Sequence, residues 1–470
     1  MESRYEEAIQ CLNSRKTSPK PALKDMRGSD DMPEWLSLLG HSDEDLRRLN
    51  AIHVAGTNGK GSTCAFTSSF LIEHGKITGC PRQVGLYTSP HMRHIRERIQ
   101  INGVPISKEC FATHFFDIWA KLPHESTPEL DIPRYLQLLA LLAFHVFIVE
   151  KVDVAIFEAH LGGEWDATNV MKSPTVVGIT MIAEDHVHLL GPAIEDIAWH
   201  KSGIFKASAP AFSAIQDSAV TSVLRRRAHG KGVLLEFIDI NATLPRSAAL
   251  VPKPQRINCS LALAVFRSWL MSTFSKSLDK MDEAVIAGIE RFKWPGRYQQ
   301  ISEELCQWYI DGAHNESSLR CTVDWFSKVI IPNSIRVLIF SHFSKRDTSV
   351  LLRSISESLQ LHRVQMNYVI FTSYDETQDG KSRIDRNLTK RFSENGQKDN
   401  VDTWKTLDPK SIVFCERTIQ DALDRARSIS DGNIKTQVLV TGSLHLVSGA
   451  LCTLDLDDDL KSDVRGINAS

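Results

Sequence analysis

The residues Gly56-Thr57-Asn58-Gly59-Lys60-Gly61-Ser62-Thr63 stand between an apolar run, Ala51-Ile52-His53-Val54-Ala55, and a segment of helical composition from Ser62 to His74. A strand, a glycine turn and a helix in that order give the context a phosphate loop needs. Small residues let backbone N–H groups point at phosphate oxygens, and the helix start adds partial positive charge. Lys60 would supply a point charge and Ser62 or Thr63 a hydroxyl. The generic pattern has more residues before its second glycine and a hydroxyl directly after its lysine, where this chain has Gly61. On spacing alone the match is partial, and a plain glycine turn is the alternative.

Three further groups fall at expected strand ends. Ser89 lies in Tyr87-Thr88-Ser89-Pro90-His91, Glu158 ends the strand Val152 to Glu158, and His186 lies in Glu184-Asp185-His186-Val187-His188. A hydroxyl, a carboxylate and an imidazole beside a phosphate loop could ligate a cation, and the oxygen-rich surroundings favour Mg²⁺ or Mn²⁺ over zinc. A loop-capping glutamate and a loop histidine are the bland readings. Asp311 and His314, in Asp311-Gly312-Ala313-His314-Asn315, follow another strand, and Arg297 lies at an expected hinge. These could face a nucleotide held between domains; an ordinary turn and a solvated arginine are the alternatives. Arg93, Arg96 and Arg98 could contact an anion, but a solvated basic face is the plainer reading.

The elements that must position these groups alternate. Expected strands are Val84 to Tyr87, Val152 to Glu158, Thr175 to Met181, Ala211 to Ile215 and Gly232 to Phe237. Between them lie expected helices at Lys108 to Lys121, Tyr135 to Glu150, Pro192 to His200 and Ala219 to Ala228. Alternation of this kind predicts a mostly parallel sheet with helices on both faces and a binding site beyond the carboxyl ends of the strands. Trp294-Pro295-Gly296 breaks this unit, and a second α/β unit follows. Its expected strands are Gln307 to Ile310, Arg336 to Phe340, Asn367 to Phe371, Ser411 to Cys415 and Gln437 to Val440, with helices at Ser317 to Val329 and Ile419 to Ala426. The reading is two domains, 1–296 and 297–470. The polar stretch Asp375 to Asp402 reads as a loop, and the acidic tail from Asp455 as frayed.

Composition sets the outer limits. The chain has 470 residues, enough for two or three domains with cores of their own. Lys plus Arg number 55 against 57 Asp plus Glu, a formal charge of −2 that argues against bulk attraction to nucleic acid or an anionic membrane. The longest apolar stretch, Leu136 to Val149, contains Gln137 and His145 and is too short to span a bilayer, so no membrane insertion is expected. The start Met1-Glu2-Ser3-Arg4 lacks the apolar core of a signal peptide. Nine cysteines without a close CxxC pair read as free thiols of a reducing compartment. A cytoplasmic protein is expected, with a mitochondrial form from another start site left open.

With these residues in order, the chain resembles the folylpolyglutamate synthases and the related dihydrofolate synthases, within the ATP-dependent Mur ligases. The residues that carry the likeness run from His53 through Thr63, then Thr88-Ser89-Pro90-His91, Arg96-Glu97-Arg98-Ile99 and Ile101-Asn102-Gly103. They continue with Gly162-Gly163, Asp166-Ala167-Thr168-Asn169, Asp185-His186 and Lys201-Ser202-Gly203-Ile204-Phe205-Lys206. Trp294-Pro295-Gly296-Arg297, Asp311-Gly312-Ala313-His314-Asn315 and Thr441-Gly442-Ser443 complete the set. The resemblance implies a P-loop Mur-ligase-like α/β domain followed by a smaller Rossmann-like α/β domain. It implies an ATP-dependent ligase that adds L-glutamate to the γ-carboxylate of a reduced folate's glutamate tail through an acyl phosphate. Dihydrofolate synthase, or a diverged Mur-type ligase acting on another carboxylic acid, is the alternative, and a non-catalytic nucleotide-binding protein is a third reading.

Carried over residue by residue, Gly56 to Thr63 with Lys60 would cradle ATP, and Arg297, Asp311 and His314 would hold it from the second domain. Ser89, Glu158 and His186 match magnesium ligands, with Lys60 and His186 also placed at the chemistry. Lys201 matches a lysine that becomes carbamylated and supports the metal and phosphate region. Mg²⁺ and K⁺ are the implied ions, and a monomer is expected. The chain departs from the pattern at His160, where glycine is usual; a histidine there adds bulk and could add charge near the metal. Glu184 replaces an apolar residue, and Pro252-Lys253-Pro254-Gln255-Arg256 keeps only the glutamine of the usual stretch.

Overall fold

A computed structural model describes residues 2–17, 30–125, 130–273, 280–343, 348–378, 383–384, 395–430 and 435–454. The chain divides into two compact units. One comprises Met1–His91 and Arg96–Lys293, the other Met92–Ile95 and Trp294–Ser470.

The first unit is built on eight strands: β1 (Ile52–Ala55), β2 (Val84–Tyr87), β3 (Ile99–Ile101), β4 (Val104–Pro105), β5 (Val154–Glu158), β6 (Val176–Ile179), β7 (Ala211–Ala214) and β8 (Leu235–Ile238). Their order across the sheet is β4-β3-β2-β5-β1-β6-β7-β8. From β2 to β8 neighbours are parallel. β1, β2, β5 and β6 are buried along their whole length, as expected where helices cover both faces and side chains of either parity meet apolar neighbours. β3 and β4 add an antiparallel edge. Their turn is Asn102-Gly103, both residues at positive φ, which the twist of a two-residue hairpin demands.

The helix that follows β1, Lys60–Thr78, buries most of its surface against the helices Lys253–Thr273 and Met281–Glu290. Phe66 stacks on Phe292 with centroids 3.6 Å apart, and Ser69 Oγ donates to Gly288 O at 2.9 Å. The helix Tyr135–Val149 is buried from Gln137 to Phe147, as a core helix must be when it is apolar nearly all round. Among the described residues no helix is long and apolar enough to cross a membrane.

The second unit has β9 (Gln299–Ser302), β10 (Cys306–Ile310), β11 (Ile335–Phe340), β12 (Tyr368–Thr372), β13 (Ile412–Glu416) and β14 (Thr436–Thr441), ordered β13-β12-β11-β14-β10-β9. All pairs are parallel except β9 on β10. Side chains alternate between two cores. Trp308, Ile310, Val438 and Val440 enter one, while Tyr309, Leu439, Leu338 and Phe340 enter the other. Met92 belongs to the first of these cores, and Ser448 Oγ donates to its carbonyl, which explains why Met92–Ile95 belong to this unit.

Two expectations are corrected. The stretch Asp375 to Asp402 is not a loop throughout, because Asn395–Leu407 is a helix. Its anchor lies just beyond the polar run: Trp404 is fully buried and its indole N–H donates to Ser411 Oγ at 2.9 Å. Arg96 and Arg98 are not a solvated face. Both are buried, Arg96 donating to Ile106 O at 2.7 Å and Arg98 to His91 Nδ1 at 2.9 Å. Most of Asp375 to Glu394 and the tail from Asp455 lie outside the described residues.

Candidate active site

The turn after β1 is held on β6's outgoing chain. Thr57 N and Asn58 N both donate to Met181 O, at 2.9 and 3.1 Å, and Thr57 Oγ donates to Ala183 O at 3.0 Å. Two glycines make this turn feasible. Gly56 has φ 144° and approaches Thr180 so closely that a Cβ would lie 1.9 Å from its Oγ1. Gly59 has φ 94° and caps the helix Lys60–Thr78; a Cβ there would lie 2.2 Å from Asn258 Oδ1. Ser62 and Thr63 are buried in the first helical turn. The loop and helix start thus have the geometry of an anion cradle.

Lys60 Nζ donates to Thr57 O at 3.3 Å and lies 4.0 Å from Glu158 Oε1. Glu158, at the end of β5, is buried, and its Oε2 accepts from the backbone N–H of Ser89 at 3.0 Å. Lys60, Glu158 and Ser89 are therefore brought together from three neighbouring parallel strands. Lys201 is buried at the end of the helix Ile194–Lys201, and its Nζ donates to Gly56 O at 2.6 Å. Burial, reinforced by the positive charge of Lys60, lowers its pKa to about 7, against the pull of Asp185 and Asp166. His186 stands on the loop after β6 with φ 50°, half exposed, its Nε2 3.6 Å from Asp185 Oδ2. A buried carboxylate at the mouth of a phosphate loop fits a hard divalent cation better than a soft one.

At His160 burial lowers the pKa against the pull of Asp166. Its Nε2 pairs with Tyr87 Oη at 2.6 Å and its Nδ1 lies 3.5 Å from Asp166 Oδ1. Asp166 accepts from the N–H groups of His160, Leu161 and Thr168 and from Thr168 Oγ, at 2.6 to 3.0 Å. Thr168 Oγ in turn meets His53 Nε2 at 2.8 Å. The Asp166-Ala167-Thr168-Asn169 motif thereby fastens the turn after β5 to β1, and so orients the backbone that presents Glu158. Asn258 packs against the phosphate loop at Gly59, and no motif in the sequence singled it out.

In the second unit Asp311 is buried after β10. Its oxygens accept from Tyr298 N, Ala313 N and Thr322 Oγ at 2.8 to 3.0 Å. Burial raises its pKa against the opposing charge of Arg297. Arg297 Nη1 donates to Gly296 O at 3.1 Å, and His314 Nδ1 lies 3.2 Å from Gly312 O. Arg297, Asp311 and His314 are thus gathered on one turn system.

Fold and site define an α/β protein of two compact units, the first built around a phosphate-loop cradle. The chain is 36% identical over 97% of its length to the folylpolyglutamate synthase of Neurospora crassa, covering 92% of that protein. It is 33% identical over 97% of its length to that of Saccharomyces cerevisiae, covering 87%. The chain belongs to the folylpolyglutamate synthase family. Residues 295–453 match the family model described as dihydrofolate synthetase, C-terminal domain. The fold is similar to that of Mycobacterium tuberculosis folylpolyglutamate synthase complexed with ADP and AMPPCP, with TM-score 0.77, 23% identity, and 97% and 100% of the two chains covered. It is also similar to that of E. coli FolC in complex with DHPP and ADP, with TM-score 0.74, 24% identity, and 95% and 97% covered.

Proposed function

We propose that this chain is an ATP-dependent ligase that joins L-glutamate to the γ-carboxylate at the end of a reduced folate's glutamate tail. The observation that carries the reading is the phosphate loop Gly56–Thr63 with Lys60 and Glu158 at its mouth, in a chain of this family. A carboxylate is a poor electrophile. Transfer of the terminal phosphoryl group of ATP to it breaks the bond to the ADP oxygen and forms an acyl phosphate. The glutamate amine then attacks the acyl carbon, loses a proton and expels phosphate. Charge on the transferring phosphoryl group is offset by Lys60 and the loop N–H groups, which are already aimed before reaction begins. Mg²⁺, held by Ser89, Glu158 and His186, supplies further charge compensation when bound. Lys201, carbamylated, supports that cation. Arg297, Asp311 and His314 hold the nucleotide from the second unit, and K⁺ is the accompanying monovalent ion. The protein acts as a cytoplasmic monomer; its nine free cysteines accord with a reducing compartment.

The test is product mass. Purified protein with ATP, Mg²⁺ and K⁺ should release ADP only when tetrahydrofolate and glutamate are both present, and the folate should gain glutamyl residues. Absence of product across a panel of folates rejects the reading. Product from dihydropteroate alone would instead make the chain a dihydrofolate synthase, the activity named in the description of the model matched by residues 295–453.

A further inference from the structure

Away from the phosphate loop, the helices Lys108–Trp119 and Tyr135–Val149 carry a second cluster of metal-ligating side chains. His114 and Asp117 lie one turn apart on the first helix, and His145 faces them from the second. Each of the three offers a ligand atom within 4.8 Å of the other two. Both histidines are 6% exposed, while Asp117 reaches solvent, so the cluster has an entry path.

The hydrogen bonds around the two imidazoles leave one nitrogen of each over. His114 Nε2 donates to Glu150 Oε1 at 3.1 Å, so its neutral ring has the lone pair on Nδ1. His145 Nδ1 shares a 2.8 Å hydrogen bond with His41 Nε2, which leaves its own Nε2. His114 Nδ1 and His145 Nε2 are both buried without a hydrogen-bond partner. Two orphaned ring nitrogens in one buried cluster are destabilising unless something satisfies them. A carboxylate that holds the far nitrogen of an imidazole is the arrangement that orients a metal-ligating histidine and raises its basicity.

We infer that His114, His145 and Asp117 form a binding site for a divalent transition metal of the zinc class, with Glu150 and His41 as positioning residues. Two imidazoles and one carboxylate suit zinc, and three protein ligands leave a fourth position for water. Tetrahedral zinc needs ligand atoms about 3.4 Å apart, so side-chain adjustments on the order of 1 Å close the site. Burial lowers the pKa of His145 to about 3, so the ring is neutral, as a ligand must be. The negative charges of Asp117 and Glu150 balance the ion; Lys121, which donates to Leu39 O at 3.3 Å, is the opposing charge on this side. Cys110 is the other nearby donor, sharing a ligand group with His114 and Glu150, but burial pushes its thiol up to about 12 and keeps it protonated. A bound ion would tie the two helices together and, through His41, the turn before the helix Asp43–Arg48.

The experiment titrates the chelator-stripped full chain with Co²⁺ and with Zn²⁺ in excess Mg²⁺, reading Co²⁺ ligand-field absorption and Zn²⁺ binding heat. One site with tetrahedral Co²⁺ absorption is expected, with an upward shift in Tm on Zn²⁺ addition. Asp117→Asn, an exposed change, should weaken binding about 100-fold, and Glu150→Gln about 10-fold. His145→Gln should abolish it, and Cys110→Ser should leave it unchanged. If His145→Gln does not fold, Asp117→Asn alone decides. No binding above Mg²⁺, or a site that survives Asp117→Asn at full affinity, overturns the inference, and an ADP-sensitive site would place the ion at the phosphate loop and overturn it as well.

Discussion

Exposing the purified protein to ¹³C-labelled bicarbonate should produce one carbamate carbon resonance, and Lys201→Arg should remove it. A lysine reacts with CO₂ only as the neutral amine, so the yield follows the neutral fraction. Burial beside Lys60 brings Lys201 from the ordinary 10.5 to about 7. At about pH 7.5 roughly three-quarters of this side chain is then neutral, against about one part in a thousand for an ordinary lysine, an enrichment of several hundred-fold. The modified nitrogen keeps one hydrogen, so the donation to Gly56 O survives. The new negative charge also replaces repulsion from Lys60 by attraction. Lys206 and Lys231 are lowered by burial too, so Lys206→Arg and Lys231→Arg serve as controls that should keep the signal. The sign with pH is fixed: protonation removes the nucleophile, so the resonance should fade as pH falls through about 7. A resonance that persists in Lys201→Arg, or none in the parent at about pH 8, refutes the reasoning.

The same titration has a stability consequence in CO₂-free buffer. Between about pH 7 and pH 10 the unfolded lysine holds a proton that the folded one has lost, so stability rises with pH by up to about 1.4 kcal/mol per unit. Lys201→Met should remove that slope in denaturation midpoints measured across the range; an unchanged slope refutes it. Glu158→Gln keeps the shape at the loop mouth but loses the charge, and kcat should fall on the order of 100-fold with the fold intact by circular dichroism. Gly59→Ala and Gly79→Ala form a matched pair. Both sites have positive φ, yet a Cβ at Gly79 meets nothing within 4 Å while one at Gly59 collides with Asn258. Each should lose roughly 1–2 kcal/mol to backbone strain, and only Gly59→Ala should also lose ADP binding, measured by calorimetry. Equal ADP affinities in the two variants would show that the loop tolerates the collision.

How much of this was legible depended on whether the signal was local. The parallel strands announced themselves as apolar runs because both faces of each sheet are covered. The Asn102-Gly103 hairpin carried a local turn signature, yet β3 and β4 are so short that periodicity could not register them. β9 is polar along its exposed edge and gave no apolar run, and the helix Asn395–Leu407 lay hidden in a charge-rich stretch that Trp404, with Val401 and Leu407, anchors to the core. The phosphate loop, Glu158 and Lys201 could be named from residue types and resemblance. Their mutual distances could not, because they come from β1, β5 and a helix that only the sheet order brings side by side. Asn258 against Gly59 is likewise a contact across a long sequence separation.

The two lysines at the loop show how one residue type takes two roles. Each ammonium donates to a carbonyl of the same turn, Lys60 to Thr57 and Lys201 to Gly56. Two full positive charges there would repel, and burial of Lys201 leaves that repulsion poorly screened. The surroundings break the tie. Lys60 has the Glu158 carboxylate 4.0 Å away and a side chain 16% exposed, so its charge is both paired and partly hydrated. Lys201 is 3% exposed, and burial is the largest cause of its depressed pKa. Paired groups whose environments drive their titrations apart divide the chemistry between them. Lys60 is then the residue fit to meet phosphate. Lys201 is fit to be modified, and its carbamate would add an anionic oxygen on the side where Asp185 already stands. Two like anionic groups beside one another would favour a cation between them, so carbamylation of this amine would strengthen the proposed hold on a divalent ion.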